Sequence, residues 1–74
     1  MKIIKKFQSR DNTKNALIGL SDEIFIVEFY EFGKRVGEIE YTDKSYHYVE
    51  DAAENWVTGV MTKETIKHYN KKAA

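Results

Sequence analysis

The chain has 74 residues, no cysteine and no proline, and its twelve basic residues balance its twelve acidic ones. This length predicts a single domain over residues 1–74, and the lack of cysteine excludes a disulfide framework and any thiolate metal or redox site. No apolar run is long enough for a signal peptide, and none approaches the ~20 residues of a membrane span. We therefore expect a cytoplasmic protein without a membrane partner.

The charges are segregated along the chain although the net charge is zero. Residues 1–15 carry a net charge of +4, residues 21–54 carry −7 and residues 62–74 carry +3. One interpretation is a solvated surface whose termini attract its middle. The other is an acidic surface that steers the protein toward a basic partner, because local fields govern association more than net charge does.

Strands are predicted over the first half of the chain. Residues 2–7 and 24–32 are rich in β-branched and aromatic residues, and residues 36–42 follow the second of these after a short connection. Residues 16–20 predict a weaker strand because glycine interrupts them. The polar residues 9–15 between the first two strands have the composition of a turn.

The strand at residues 24–32 is apolar on both faces, since alternate residues point to opposite sides of a sheet. One face carries Ile24, Ile26, Tyr30 and Phe32, interrupted by Glu28, and the other carries Phe25, Val27 and Phe29. A chain this short has few elements to cover two such faces. We expect the face left uncovered to contact a partner.

The connection after this strand predicts a hairpin. A two-residue loop of Phe32 and Gly33 places Glu31 opposite Lys34, and it pairs Phe29 with Val36, Ile26 with Ile39 and Ile24 with Tyr41. A three-residue loop with glycine in the left-handed position shifts this register by one residue. The first register is favoured because it aligns apolar pairs and one charge pair.

After Asp43 the apolar spacing changes to that of a helix. Asp43 or Ser45 can cap its start, Gly59 marks its end, and Thr62 can begin a second helix that runs to about Tyr69. The stripe consists of Val49, Ala52, Ala53, Trp56, Val57 and Val60. The predicted fold is α+β: an antiparallel meander of three to four strands, followed by two C-terminal helices packed on one sheet face.

The sequence predicts no enzyme, no cofactor and no metal site. His47, with Glu50 and Asp51 three and four residues later, is the best titratable group, but no nucleophile or substrate pocket accompanies it. One helix face cannot surround a metal ion. Single-stranded nucleic acid is a weak alternative, because Tyr30 could stack on bases while the glutamates on the strands repel phosphates.

The segment from Tyr48 to Val57, followed by Gly59 and Val60, resembles a segment in small uncharacterised proteins of tailed marine phages, especially those that infect cyanobacteria. The resemblance implies a phage accessory protein, located in the cytoplasm of an infected host, and brings no known activity. More remotely, the order of elements is similar to that of small anti-CRISPR inhibitors. The matching residues are Gly33, Lys34, Val36, Gly37, Glu54 and Trp56.

We therefore expect a protein-binding module that modulates or inhibits a host protein with a basic surface by occupying that surface. The alternative is a structural homo-oligomer in which two copies, as in a homodimer, bury their leftover sheet faces. The residues expected to contact the partner are Glu50, Asp51, Glu54, Tyr46, Tyr48, Phe25, Val27 and Phe29.

Overall fold

The computed structural model describes the backbone of residues 1–73 and the side chains of residues 1–69. Four strands precede two helices, as predicted. The elements are β1 (Lys2–Gln8), β2 (Lys14–Ser21), β3 (Ile24–Glu31), β4 (Lys34–Tyr41), α1 (Tyr46–Val57) and α2 (Lys63–Ala73). The weak strand predicted at residues 16–20 is therefore confirmed and longer, and α2 extends past its predicted end.

The strands form one antiparallel sheet in the order β1-β2-β3-β4, joined by short connections. Two of these connections are two-residue turns with positive φ at both positions: Asp22 and Glu23 (49° and 67°), and Phe32 and Gly33 (52° and 76°). Turns of this kind match the right-handed twist of the flanking strands. The two-residue loop predicted for the second hairpin is confirmed.

The register of the β3–β4 hairpin differs from the prediction beyond its first two pairs. Glu31 lies opposite Lys34 as expected, but the ladder shifts between Phe29 and Tyr30. The predicted pairs of Phe29 with Val36, Ile26 with Ile39 and Ile24 with Tyr41 are therefore wrong. The pairs beyond the shift are Phe29 with Gly37, Val27 with Ile39, Ile26 with Glu40 and Phe25 with Tyr41. A β-bulge places an extra residue on one strand, and this moves the later residues of β4 to the opposite faces.

Local hydrogen bonds define both ends of α1. The Ser45 hydroxyl accepts a bond from the backbone N–H of Tyr48 at 3.3 Å, so the cap is Ser45 and not Asp43. Gly59 ends the helix with a φ of 88°, and its N–H donates to the carbonyl of Trp56 at 3.2 Å. A residue in this left-handed conformation is a common helix terminator, and glycine adopts it without steric cost.

Both helices pack on the same side of the sheet, α1 over β1–β3 and α2 over β4. Trp56 is fully buried, and its ring meets that of Phe29 edge-on with centroids 5.5 Å apart. The core consists of Ala16, Ile18, Val27, Phe29, Ile39, Tyr41, Val49, Ala53, Trp56, Met61 and Ile66. The helical stripe predicted from the sequence supplies the centre of this core, although Val60 is exposed.

Candidate protein-binding surface

The face of β3 that carries Phe25, Val27 and Phe29 lies under the helices. Val27 and Phe29 are 0% exposed, and Phe25 packs against the core. Val27 and Phe29 therefore have no exposed surface to offer a partner in this fold, whereas Phe25 is half-buried and its predicted contact stays a prediction. The missed signal is Glu28, which interrupts the other face of the strand: a carboxylate is costly to bury, so that face is the one left to solvent.

The opposite face of the sheet has no helix packed on it in the described part of the chain. The register places Leu17 of β2 opposite Glu28 of β3 there, and Gly19 of β2 opposite Ile26 of β3. The side chain of Met1 lies over Gly19. We call this surface the open face, and it consists of Ile3, Lys6, Gln8, Asn15, Leu17, Gly19, Ser21, Ile24, Ile26, Glu28, Tyr30, Arg35, Glu38 and Glu40.

Carboxylates dominate the β3–β4 half of the open face. Glu28 and Glu38 are direct cross-strand neighbours, and two like charges in these positions destabilise the sheet. The guanidinium of Arg35 offsets this repulsion: its Nε lies 3.8 Å from Glu28 and another nitrogen bonds to Glu38. Glu40 lies beside them, opposite Ile26. After this pairing the surface keeps an acidic character next to its apolar residues.

Asn15 brings an unused hydrogen-bond acceptor to the open face. Its Oδ1 atom is buried and makes no hydrogen bond to the described residues. A shallow hollow of about 200 Å³ adjoins it, lined by Lys6, Leu17 and Tyr30. A buried acceptor without a donor costs free energy, which a donor from a partner can recover.

The three acidic residues of α1 have different surroundings. Glu50 accepts a 2.8 Å bond from the Lys5 ammonium group on β1, and this hydrogen bond and the Lys5 charge lower the pKa of Glu50. Glu54 is exposed, and Asp51 is exposed beside a groove next to α2. Among the described residues, Glu50 is the one of the three that forms an ion pair with the sheet, and the partner contact predicted for all three stays a prediction.

The two tyrosines at the start of α1 point in different directions. Tyr46 is half-buried, and its ring lies 5.6 Å from that of Phe25. Tyr48 is 48% exposed and lies 5.8 Å from Tyr41, measured between ring centroids. Of this predicted pair, only Tyr48 offers a large exposed ring.

Among residues 1–69, no three histidine, aspartate or glutamate side chains converge as a metal site would require. No helix within the described residues is both long and apolar enough to cross a membrane. Comparison with known proteins found no matching family model, curated sequence or solved structure.

Proposed function

We propose that this chain is a small protein-binding module that acts by covering a surface of another protein, and that the open face is its main contact. The observation that carries the proposal is the set of apolar side chains Leu17, Ile24, Ile26 and Tyr30 on the face opposite both helices. These four side chains are half-buried, and apolar side chains that keep exposed surface together on one face with polar surroundings are typical of interaction sites.

The partner we propose has a basic rim around an apolar centre. Glu28, Glu38 and Glu40 lie on the open face, and Asp22 and Glu23 are exposed at the turn that joins β2 to β3. Such a surface favours encounter with a positively charged protein and repels nucleic acid. The resemblance to phage proteins and to anti-CRISPR inhibitors adds the proposal that this partner is a host protein whose activity is blocked.

The size of the open face favours a foreign partner over self-association. Four strands of about eight residues make a face of roughly 26 by 19 Å, or about 500 Å² on each partner. Obligate homodimers bury ~2,000 Å² or more in total and are more hydrophobic. A face this small that also carries carboxylates fits a transient or wrapped contact with another protein.

The test uses matched variants on and off the open face. Tyr30→Ala and Leu17→Ala remove apolar contacts from it, and Val60→Ala removes an equally apolar side chain that is 73% exposed elsewhere. The partner is captured from host extract and purified, and its Kd is measured for each variant. We expect about tenfold or greater weakening for at least one open-face variant and little change for Val60→Ala.

Two results would contradict the proposal. Equal affinity for all three variants would exclude the open face as the contact. Light scattering that shows a dimer in the wild type and a monomer in Tyr30→Ala would identify a second copy as the occupant.

In a further arm, Asp51→Lys and Glu54→Lys test the exposed acids of α1 without breaking the Lys5–Glu50 pair.

A further inference from the structure

A groove of about 340 Å³ lies between β4, α1 and α2, on the helix-bearing side of the sheet. Three tyrosines line it, each from a different element. Tyr41 ends β4, Tyr48 lies in the first turn of α1, and Tyr69 lies on α2. Asp51 and Asn55 line the α1 side. We call this site the tyrosine groove, and its volume lies at the lower end of the ~300–1,000 Å³ of small-molecule pockets.

The three rings stand at angles to one another. Tyr41 is only 3% exposed and lies in the middle, with its ring centroid 5.8 Å from that of Tyr48 and 5.6 Å from that of Tyr69. The interplanar angles are 64° and 50°, so the rings do not stack in parallel. At these separations the buried Tyr41 ring packs directly against both neighbours, so the rings that a ligand can reach are those of Tyr48 and Tyr69, which keep exposed surface. Each π face carries partial negative charge.

Among the described residues that line the groove, the formal charge is negative. Asp51 is the only carboxylate among its described lining residues, and no cationic side chain lines it there. Burial, together with the nearby Tyr69 and Tyr48, raises the pKa of Tyr41, so this phenol stays neutral near neutral pH. A carboxylate beside three aromatic rings creates a site that favours positive charge.

The protein already uses one of these rings to hold an ammonium group. The Lys44 Nζ atom lies 4.8 Å from the ring centroid of Tyr48. Lys44 is not among the residues that line the groove, so its ammonium leaves the groove itself unfilled. The contact demonstrates that the Tyr48 ring is placed for cation–π attraction, which extends to about 6 Å.

We propose that the tyrosine groove binds an alkylammonium group, with the Tyr48 and Tyr69 rings contacting its methyl or methylene groups and Asp51 supplying the opposite charge. Aromatic rings recognise quaternary ammonium ligands in this way. The inference does not depend on the function proposed for the open face, because the two surfaces lie on opposite sides of the sheet. The ammonium can belong to a small amine or to a lysine side chain of a protein.

The test compares two ligands of the same shape that differ in charge. Choline and 3,3-dimethylbutan-1-ol differ by replacement of the quaternary nitrogen with carbon. We expect saturable changes in the amide NMR spectrum with choline in the millimolar range, centred on Tyr41, Tyr48 and Asp51. The neutral alcohol should bind at least about tenfold more weakly, since it lacks the cation–π and charge contributions.

Matched variants connect this binding to the groove. Asp51→Asn and Tyr48→Leu should each weaken choline binding by about five- to tenfold, whereas Tyr48→Phe keeps the aromatic ring and should restore most of it. Glu54→Gln removes an exposed carboxylate from the same helix outside the groove and should leave binding unchanged. Circular dichroism confirms that each variant is folded.

The proposal is overturned by any of three results: equal binding of choline and the alcohol, no saturable change with choline, or equal weakening by Glu54→Gln and Asp51→Asn.

A peptide that carries trimethyllysine provides the second arm. Tighter binding of the peptide than of choline identifies a protein side chain as the source of the ammonium, and equal binding identifies a small amine.

Discussion

The indole N–H of Trp56 donates a 3.1 Å hydrogen bond to the backbone carbonyl of Tyr30, and this bond joins the end of α1 to the end of β3. Tyr30 lies next to the shift in the β3–β4 ladder. On the same ring, the Lys14 Nζ atom lies 4.7 Å from the centroid. The Trp56 side chain thus holds α1 against the part of β3 that carries Tyr30 on the open face.

Trp56→Phe should destabilise the protein by about 1–3 kcal/mol. The substitution leaves the Tyr30 carbonyl without its indole donor and leaves a small cavity against Phe29. Urea unfolding followed by far-UV circular dichroism measures the effect, since the variant lacks the only tryptophan. Val60→Ala, at an exposed site, should change stability by less than about 0.5 kcal/mol. A similar small change for Trp56→Phe would show that the bond and the packing contribute little.

Phe32→Asn should stabilise the protein. Phe32 is 74% exposed and has a φ of 52°, a conformation that a bulky side chain rarely adopts and that asparagine tolerates. Relief of this strain should contribute about 1 kcal/mol, which corresponds to a rise in Tm of about 4–8 °C.

Gly33→Ala is the control for the same turn. Gly33 has a φ of 76° and no atom within 4 Å of the position of an added Cβ, so only the backbone conformation opposes the substitution. We expect a lower Tm. If calorimetry gave both variants the same sign of change, backbone strain would not explain either of them.

Asn15→Val should also increase stability, by about 1 kcal/mol. It removes the buried Oδ1 atom that has no donor among the described residues and introduces a residue with high strand propensity. Gln8 lies directly opposite Asn15 in the β1–β2 pair and is exposed, so Gln8→Val gains strand propensity without removing a buried acceptor. The change in the free energy of unfolding for Asn15→Val minus that for Gln8→Val gives the cost of the buried Asn15 acceptor. Equal gains would indicate that water already satisfies Asn15.

The Lys5–Glu50 pair should make a small contribution to stability that depends on pH. Because the pKa of Glu50 is lowered in the folded protein, its contribution is present above the ordinary value of 4.5 and is lost as the pH falls through the folded pKa. Because the pKa of Lys5 is raised, its contribution is present below the ordinary value of 10.5 and is lost as the pH rises through the folded pKa.

Thermal unfolding as a function of pH tests this pair. Glu50→Gln should reduce the loss of stability on acidification relative to the wild type, and ~1 M NaCl should reduce the difference between them, as expected for a partly exposed pair. Glu54→Gln should lose stability at acidic pH as the wild type does. If Glu50→Gln lost as much stability at acidic pH as the wild type, Lys5 would not favour the ionised carboxylate of Glu50.

The order and type of the elements followed from local pattern. The spacing of Val49, Ala53 and Trp56 predicted the buried stripe of α1, and Gly59 predicted its end, because helix periodicity and termination depend on residues within a few positions. The Phe32-Gly33 turn and the Glu31–Lys34 pair followed from the same local rules. These features determined the α+β fold class from the sequence alone.

The tertiary structure decided which face of β3 is covered. Both faces are apolar within the strand, so the choice depends on distant residues: Ala16 and Ile18 of β2 and Ile39 of β4 complete one face, and the shift at Phe29 brings Ile39 to it. The convergence of Tyr41 and Tyr69 was equally invisible in the sequence, since α2 contacts β4 only after the chain has folded back across the sheet. Local pattern specifies an element, whereas the surface it presents is set by the elements that pack on it.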